Sequence, residues 1–89
     1  MYLHLGNDIT VKTEDIVGIF DIENATISRH TRKFLATAEK NKRVVTVSYE
    51  LPKSFILCKN KKEKGEKIYI SQISSSTLLK RINNYVKSI

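Results

Sequence analysis

Phe55-Ile56-Leu57-Cys58, then Lys59-Asn60-Lys61-Lys62-Glu63-Lys64-Gly65-Glu66-Lys67, then Ile68-Tyr69-Ile70-Ser71 stand consecutively in the chain. The first four residues are apolar without interruption, as in a strand buried on both faces. The next nine carry five lysines and two glutamates, too polar to bury. The last four are again rich in strand formers. Two such runs joined by a polar segment make a hairpin with a long tip. Ser74-Ser75-Ser76 follows and supplies a hydroxyl cap for a closing helix. The apolar stripe of that helix is Leu78, Leu79, Ile82, Tyr85, Val86 and Ile89, with Lys80, Arg81, Asn84 and Lys87 outside.

Upstream, Leu51-Pro52-Lys53-Ser54 reads as a connection, because proline cannot donate to a sheet ladder. Val44 to Tyr49 alternates, with Val45, Val47 and Tyr49 on one side. Before it, Ser28 (or Thr26) caps a helix whose buried stripe is Ile27, Thr31, Phe34, Leu35 and Ala38. Its outer side carries Arg29, Arg32, Lys33 and Lys40, and Asn41-Lys42 ends it. No acid occupies its first turn, so this basic face opposes the helix dipole, a hint of a role outside the fold. Ile16-Val17-Gly18-Ile19-Phe20 is a second continuous apolar run, expected to be a strand buried on both faces, with Gly18 marking a bulge or a close backbone approach. Thr13-Glu14-Asp15 separates it from a hairpin made of Tyr2 to Leu5, the turn Gly6-Asn7-Asp8, and Ile9 to Lys12. The expected fold is α+β: a mostly antiparallel sheet covered by two helices, in one domain over residues 1–89.

Charge is divided unevenly. Residues 1–27 hold one base against five acids, and residues 28–89 hold fifteen bases against four, giving a net charge of +7. A strongly positive second part attracts polyanions, most often nucleic acid. With 89 residues the domain buries only about 60–65% of its unfolded surface, so it benefits from an added stabiliser. Cys58 is the one cysteine, which excludes an internal disulfide and points to a cytoplasmic setting. With only His4 and His30 beside it, no zinc set is available. Self-association is the stabiliser that remains. No apolar run is long enough to span a membrane, and no basic segment followed by an apolar run opens the chain, so neither a membrane partner nor a signal peptide is expected.

Catalytic readings are weak. The Ser74-Ser75-Ser76 run has no His or Asp partner in evidence and is accounted for by capping. Cys58 lies inside an apolar run, where a free thiol is packing. His4 and Asp8 across the turn make a structural hydrogen bond rather than a site. The three glycines match no phosphate loop. No enzyme activity, cofactor, metal or small-molecule substrate is expected.

Three basic groups remain: Arg29, Arg32 and Lys33 on the helix, with His30 beside them; Lys42 and Arg43 with Lys53, near the ends of neighbouring strands; and the five lysines of residues 59–67. The last group reads equally as a solvated, flexible loop. Lysine is a hydrated point charge suited to phosphates, whereas arginine can fork onto guanine edges. Lysine dominance therefore points to backbone contacts with weak sequence preference.

Several phrases occur in a distinctive order: Tyr2-Leu3-His4-Leu5-Gly6 with Asp8, Asp15-Ile16-Val17-Gly18-Ile19-Phe20-Asp21, Thr31-Arg32-Lys33-Phe34-Leu35, Pro52-Lys53-Ser54-Phe55-Ile56, and Ile73-Ser74-Ser75-Ser76-Thr77-Leu78-Leu79-Lys80-Arg81. Over nearly its whole length the chain resembles the RemB/RemA type of extracellular matrix regulatory proteins. The resemblance implies a LytTR-like fold and a ring-forming, DNA-binding transcriptional regulator of extracellular-matrix and biofilm genes. Its partners would be double-stranded DNA and further copies of itself. The DNA-contacting candidates are Arg29, Arg32, Lys33, Arg43 and Lys53. The chain departs from the RemA branch at Asp15, where that branch carries an arginine, and in the turn at Lys53, which there is arginine-rich. Residues 59–67 are longer than usual, and Gln72 stands where RemB relatives tend to have proline. The alternative is a non-catalytic assembly or scaffolding module that binds protein rather than DNA.

Overall fold

The structure is a computed structural model that describes residues 1–87, with side chains through residue 83. It opens with β1 (Tyr2–Gly6) and β2 (Ile9–Lys12), an antiparallel hairpin. Asn7 and Asp8 form its two-residue loop with φ of 46° and 64°. Paired left-handed residues match the right-handed twist of the flanking strands, which is why Asn and Asp occupy them. The Asn7 side chain also donates to Val47 O at 3.0 Å, tying the turn to the body of the molecule.

A 3-10 turn (Thr13–Asp15) leads into β3 (Ile16–Asp21), whose register shift between Ile16 and Gly18 is the bulge, of the two roles open to Gly18. A short helix that the sequence pattern did not indicate follows, α1 (Ile22–Ala25), capped by Asp21 accepting from Asn24 N. Then come α2 (Arg29–Lys40), β4 (Val44–Thr46), β5 (Ser54–Lys59), β6 (Glu66–Ser71) and α3 (Ser75–Lys87). Ser28 caps α2 by accepting from His30 N, and Ser74 Oγ accepts from Thr77 N at the start of α3.

The α+β class holds, but the strands form two sheets: the β1–β2 hairpin and a four-stranded sheet ordered β3-β5-β6-β4. In the larger sheet β5 is antiparallel to both its neighbours, whereas β4 runs parallel to β6. The segment with α1 and α2 therefore crosses from one edge strand to the other.

Alternation along the central strands sets the layers. Phe55, Leu57, Ile68 and Ile70 face α1 and α2, where they meet Ile22, Ala25, Leu35 and Ala38. Ile56, Cys58 and Tyr69 face the other way, onto Leu3, Leu5, Val11 and Leu78 of the hairpin and α3. Leu3, Leu5, Ile56, Ile68 and Leu78 are fully buried, each contributing about 1.5–3 kcal/mol of apolar transfer. Two buried serines tie the layers together. Ser71 Oγ donates to Leu5 O at 2.7 Å and accepts from Ile73 N, while Ser54 Oγ donates to Ile73 O at 2.7 Å.

Four expectations need correction. β3 is an edge strand rather than one buried on both faces; Val17 is 62% exposed, and the Phe20 ring stacks on Phe55 at 4.9 Å instead of inserting into a second layer. β4 stops at Thr46; Val47 N still donates to Ile70 O, but Tyr49 is 98% exposed because the chain leaves the ladder to reach the far end of β6. Ile27 precedes the α2 cap and is exposed, and Phe34 lies at the rim of the buried stripe. In α3, Leu78 and Ile82 pack on the core but Leu79 is exposed; Tyr85, Val86 and Ile89 lie outside the described side chains.

Candidate nucleic-acid interface

Helix α2 buries Ala38 and half-buries Thr31 and Leu35, a row four and then three residues apart. Arg29, Lys33, Ala36 and Lys40 occupy the opposite row and are all exposed. The first turn contains no acid. Three cations thus project from one side of a helix whose other side is pinned to the sheet, about 17 Å from first to last at 1.5 Å per residue.

Arg32 is also exposed, but one of its guanidinium nitrogens, Nη1, donates to Thr26 O at 2.6 Å and Ile27 O at 3.0 Å. Thr26 is the C-cap of α1. The guanidinium therefore closes the α1–α2 corner while the residue stays exposed.

Arg43 and Lys53, grouped by the sequence reading, stand at opposite ends of β6. Ile68 N, near the start of β6, donates to Arg43 O, whereas Lys53 N donates to Ser71 O at its end. The reason is strand direction: β5 runs against β4, so the start of one lies beside the finish of the other. Lys53 shares a groove with Asp21, Glu23 and Ser74. Arg43 is half-buried, and its guanidinium fills the space that a Cβ on Gly65 would take.

The β5–β6 tip is ordered by contacts that sequence spacing alone does not reveal. Asn60 Oδ1 accepts from Lys62 N at 2.8 Å, and Asn60 O accepts from Glu63 N at 3.2 Å. Its Nδ2 donates to Asp15 Oδ2 at 3.5 Å. Lys67 Nζ lies 3.9 Å from Glu63 Oε2, and Gly65 takes φ +80°, in the left-handed region that glycine tolerates. An Asn two residues before a backbone donor in a polar run is the one local signal that could have announced this turn.

Between the tip and the hairpin is an open cleft of about 260 Å³, lined by Asp15, Cys58, Asn60, Glu63, Lys67 and Tyr69 among others. Burial pushes the Cys58 thiol up to about 11; Asp15 adds to this and Lys67 opposes it. Burial likewise raises Tyr69, with Cys58, Glu63 and Asp15 adding to the effect. A thiol held neutral is a poor nucleophile. Neither His4 nor His30 lines this cleft, and the backbone carbonyl of His4 accepts from Arg81 Nη1 at 3.0 Å. Among the described residues no group of three or more His, Cys, Asp and Glu is placed to hold a metal ion, and no helix is long and apolar enough to cross a membrane.

An α+β domain with a basic helix lying across a mixed sheet is the class of protein that fold and surface define. The chain belongs to the RemA-like family, described as extracellular matrix regulatory protein A-like, which it matches over residues 2–82. It is similar to Extracellular matrix regulatory protein B of Bacillus subtilis (strain 168), with 44% identity over 81 residues that cover 91% of this chain and 89% of that protein. The family's names are those of regulators.

Proposed function

We propose that this chain is a cytoplasmic, non-catalytic regulator of extracellular-matrix genes that binds double-stranded DNA as a homo-oligomer, mainly through phosphate contacts. The observation that carries the reading is the exposed row of Arg29, Lys33 and Lys40 on α2, with no acid in the helix's first turn. Such a row neutralises phosphates and releases their counterions, which gives affinity that falls steeply with salt and depends little on sequence. Membership in a family of extracellular matrix regulators supports the regulatory part of the reading. Arg32 supplies a further cation at the same turn, while Arg43 and Lys53 stand at the two ends of β6. A single domain makes few contacts. Repetition in an oligomer raises the effective concentration of each weak patch.

A duplex mobility shift at two salt concentrations tests this. Binding should weaken sharply as salt rises, and Arg29→Ala with Lys33→Ala should reduce the logarithmic salt slope by about two units for every sequence alike. Unchanged binding by that double variant would remove α2 from the interface.

One observation favours the second reading, an assembly module that binds protein. An apolar groove of about 300 Å³ lies between β3 and α2, with the half-exposed rings of Phe20 and Phe34 on its walls. A protein with no salt-dependent DNA binding would leave that reading in place.

A further inference from the structure

We propose that the β5–β6 tip is a second phosphate-binding element for duplex DNA, held in a fixed shape by Asp15 and Arg43. The inference rests on the DNA-binding reading above and extends it to residues outside the helix. Lys59, Lys61, Lys62 and Lys64 are exposed, and Lys67 faces Glu63 instead. Four lysines on a short loop repel one another, and ordering such a loop costs backbone entropy at every residue. The structure nevertheless holds it from two sides. On one side Asn60, which shapes the turn through Lys62 N and Glu63 N, donates to Asp15 in the 3-10 turn before β3. On the other the Arg43 guanidinium lies flush against Gly65, and Arg43 is itself fixed by its N–H to Ala38 O and its C=O to Ile68 N, both at 2.9 Å.

Arg43 also joins two basic surfaces. It follows directly on the C-terminal end of α2, where Lys40 and Lys42 are exposed. Phe34, Thr37 and Ala38 of α2 share a small cavity with Arg43 and Glu66 at the base of the tip. The C-terminal end of α2, with Lys40 and Lys42, therefore lies near the base of the tip. A line of separated point charges along a rigid path fits a phosphate backbone, whose charges are themselves evenly spaced. Lysines suit this role because no fork geometry is needed.

Asp15 then has a meaning opposite to the one its charge suggests. It is half-buried and turned to the tip, so it acts as a positioning residue for cations rather than as a repulsive group facing DNA. The two roles differ in the sign of one measurement. The experiment uses the full chain and a random-sequence duplex, with affinity followed by anisotropy across a salt series. Lys61→Ala with Lys62→Ala and Lys64→Ala should lower the salt slope by about two to three units, and the corresponding triple change to arginine should preserve it. Asp15→Ala should weaken binding and speed tryptic cleavage at the tip, although it removes a negative charge. Asp15→Asn keeps an acceptor for Asn60 and should stay close to the parent on both counts. If the triple alanine variant keeps the parent's slope, the tip is not a phosphate site and DNA binding rests on α2 alone. If Asp15→Ala binds more tightly, the positioning role is overturned. If the parent itself fails to bind at low salt, the DNA reading falls and this inference with it, a result distinct from either of the others.

Discussion

The guanidinium of Arg32, donating to Thr26 O and Ile27 O, shows how a residue chosen for its charge also serves the fold. Charged hydrogen bonds at a solvent-facing corner stabilise by about 1 kcal/mol. Arg32→Ala should therefore lower the urea midpoint by a corresponding amount. This is why Arg29 and Lys33, rather than Arg32, test DNA contact cleanly. Cys58 gives a second expectation at this scale. Its folded-state pKa, pushed up to about 11 by burial first, lies above the ordinary 9.0. The folded state thus disfavours the thiolate, so stability is intact below pH 9 and declines as pH rises from 9 toward 11. Tyr69 shifts in the same direction and adds to the decline. Urea unfolding at pH 8 and pH 10.5 should show the loss, reduced in Cys58→Ser, and the native thiol should react slowly with a thiol reagent at pH 7. The burial of Cys58 was legible in its apolar run. The partner of Asp15 was not, because Asn60 lies 45 residues away in the chain.

Among elements, α2 was the most legible, since its cap, its 12-residue span and its basic row all follow from local spacing. Its buried stripe was less so, because Ile27 falls before the Ser28 cap and Phe34 lies at the rim of the stripe. Continuous apolar runs announced both β3 and β5, and only β5 is central. Apolar pattern identifies a strand but not its rank in the sheet. The joint between the β1–β2 hairpin, β6 and α3 rests on Ser71, whose hydroxyl serves Leu5 O and Ile73 N at once. Ser71→Ala leaves both without that partner in a buried setting and should cost about 1–3 kcal/mol, read as a lower unfolding midpoint. Substitution by alanine removes no apolar packing, so a neutral result would mean that water takes over both bonds.

At the scale of the molecule, a domain of 10.2 kDa leaves Val17, Ile27, Tyr49 and Leu51 more than half exposed. Together with a core of limited size, this supports the expectation of self-association. Sedimentation at micromolar concentration should give several times the monomer mass; a well-folded species of monomer mass would remove the homo-oligomer from the proposal. Periodicity and turn chemistry by themselves determined the α+β class, the two hairpins, the positions of α2 and α3, and the basic face of α2, since each depends on residues a few positions apart. Tertiary structure alone decided that β4 lies parallel to β6, that Arg43 and Lys53 stand at opposite ends of the sheet, and that a lysine-rich tip is held between Asp15 and Arg43. Those facts follow from which strands become neighbours, and strand order is set by long-range burial that no local window of residues contains.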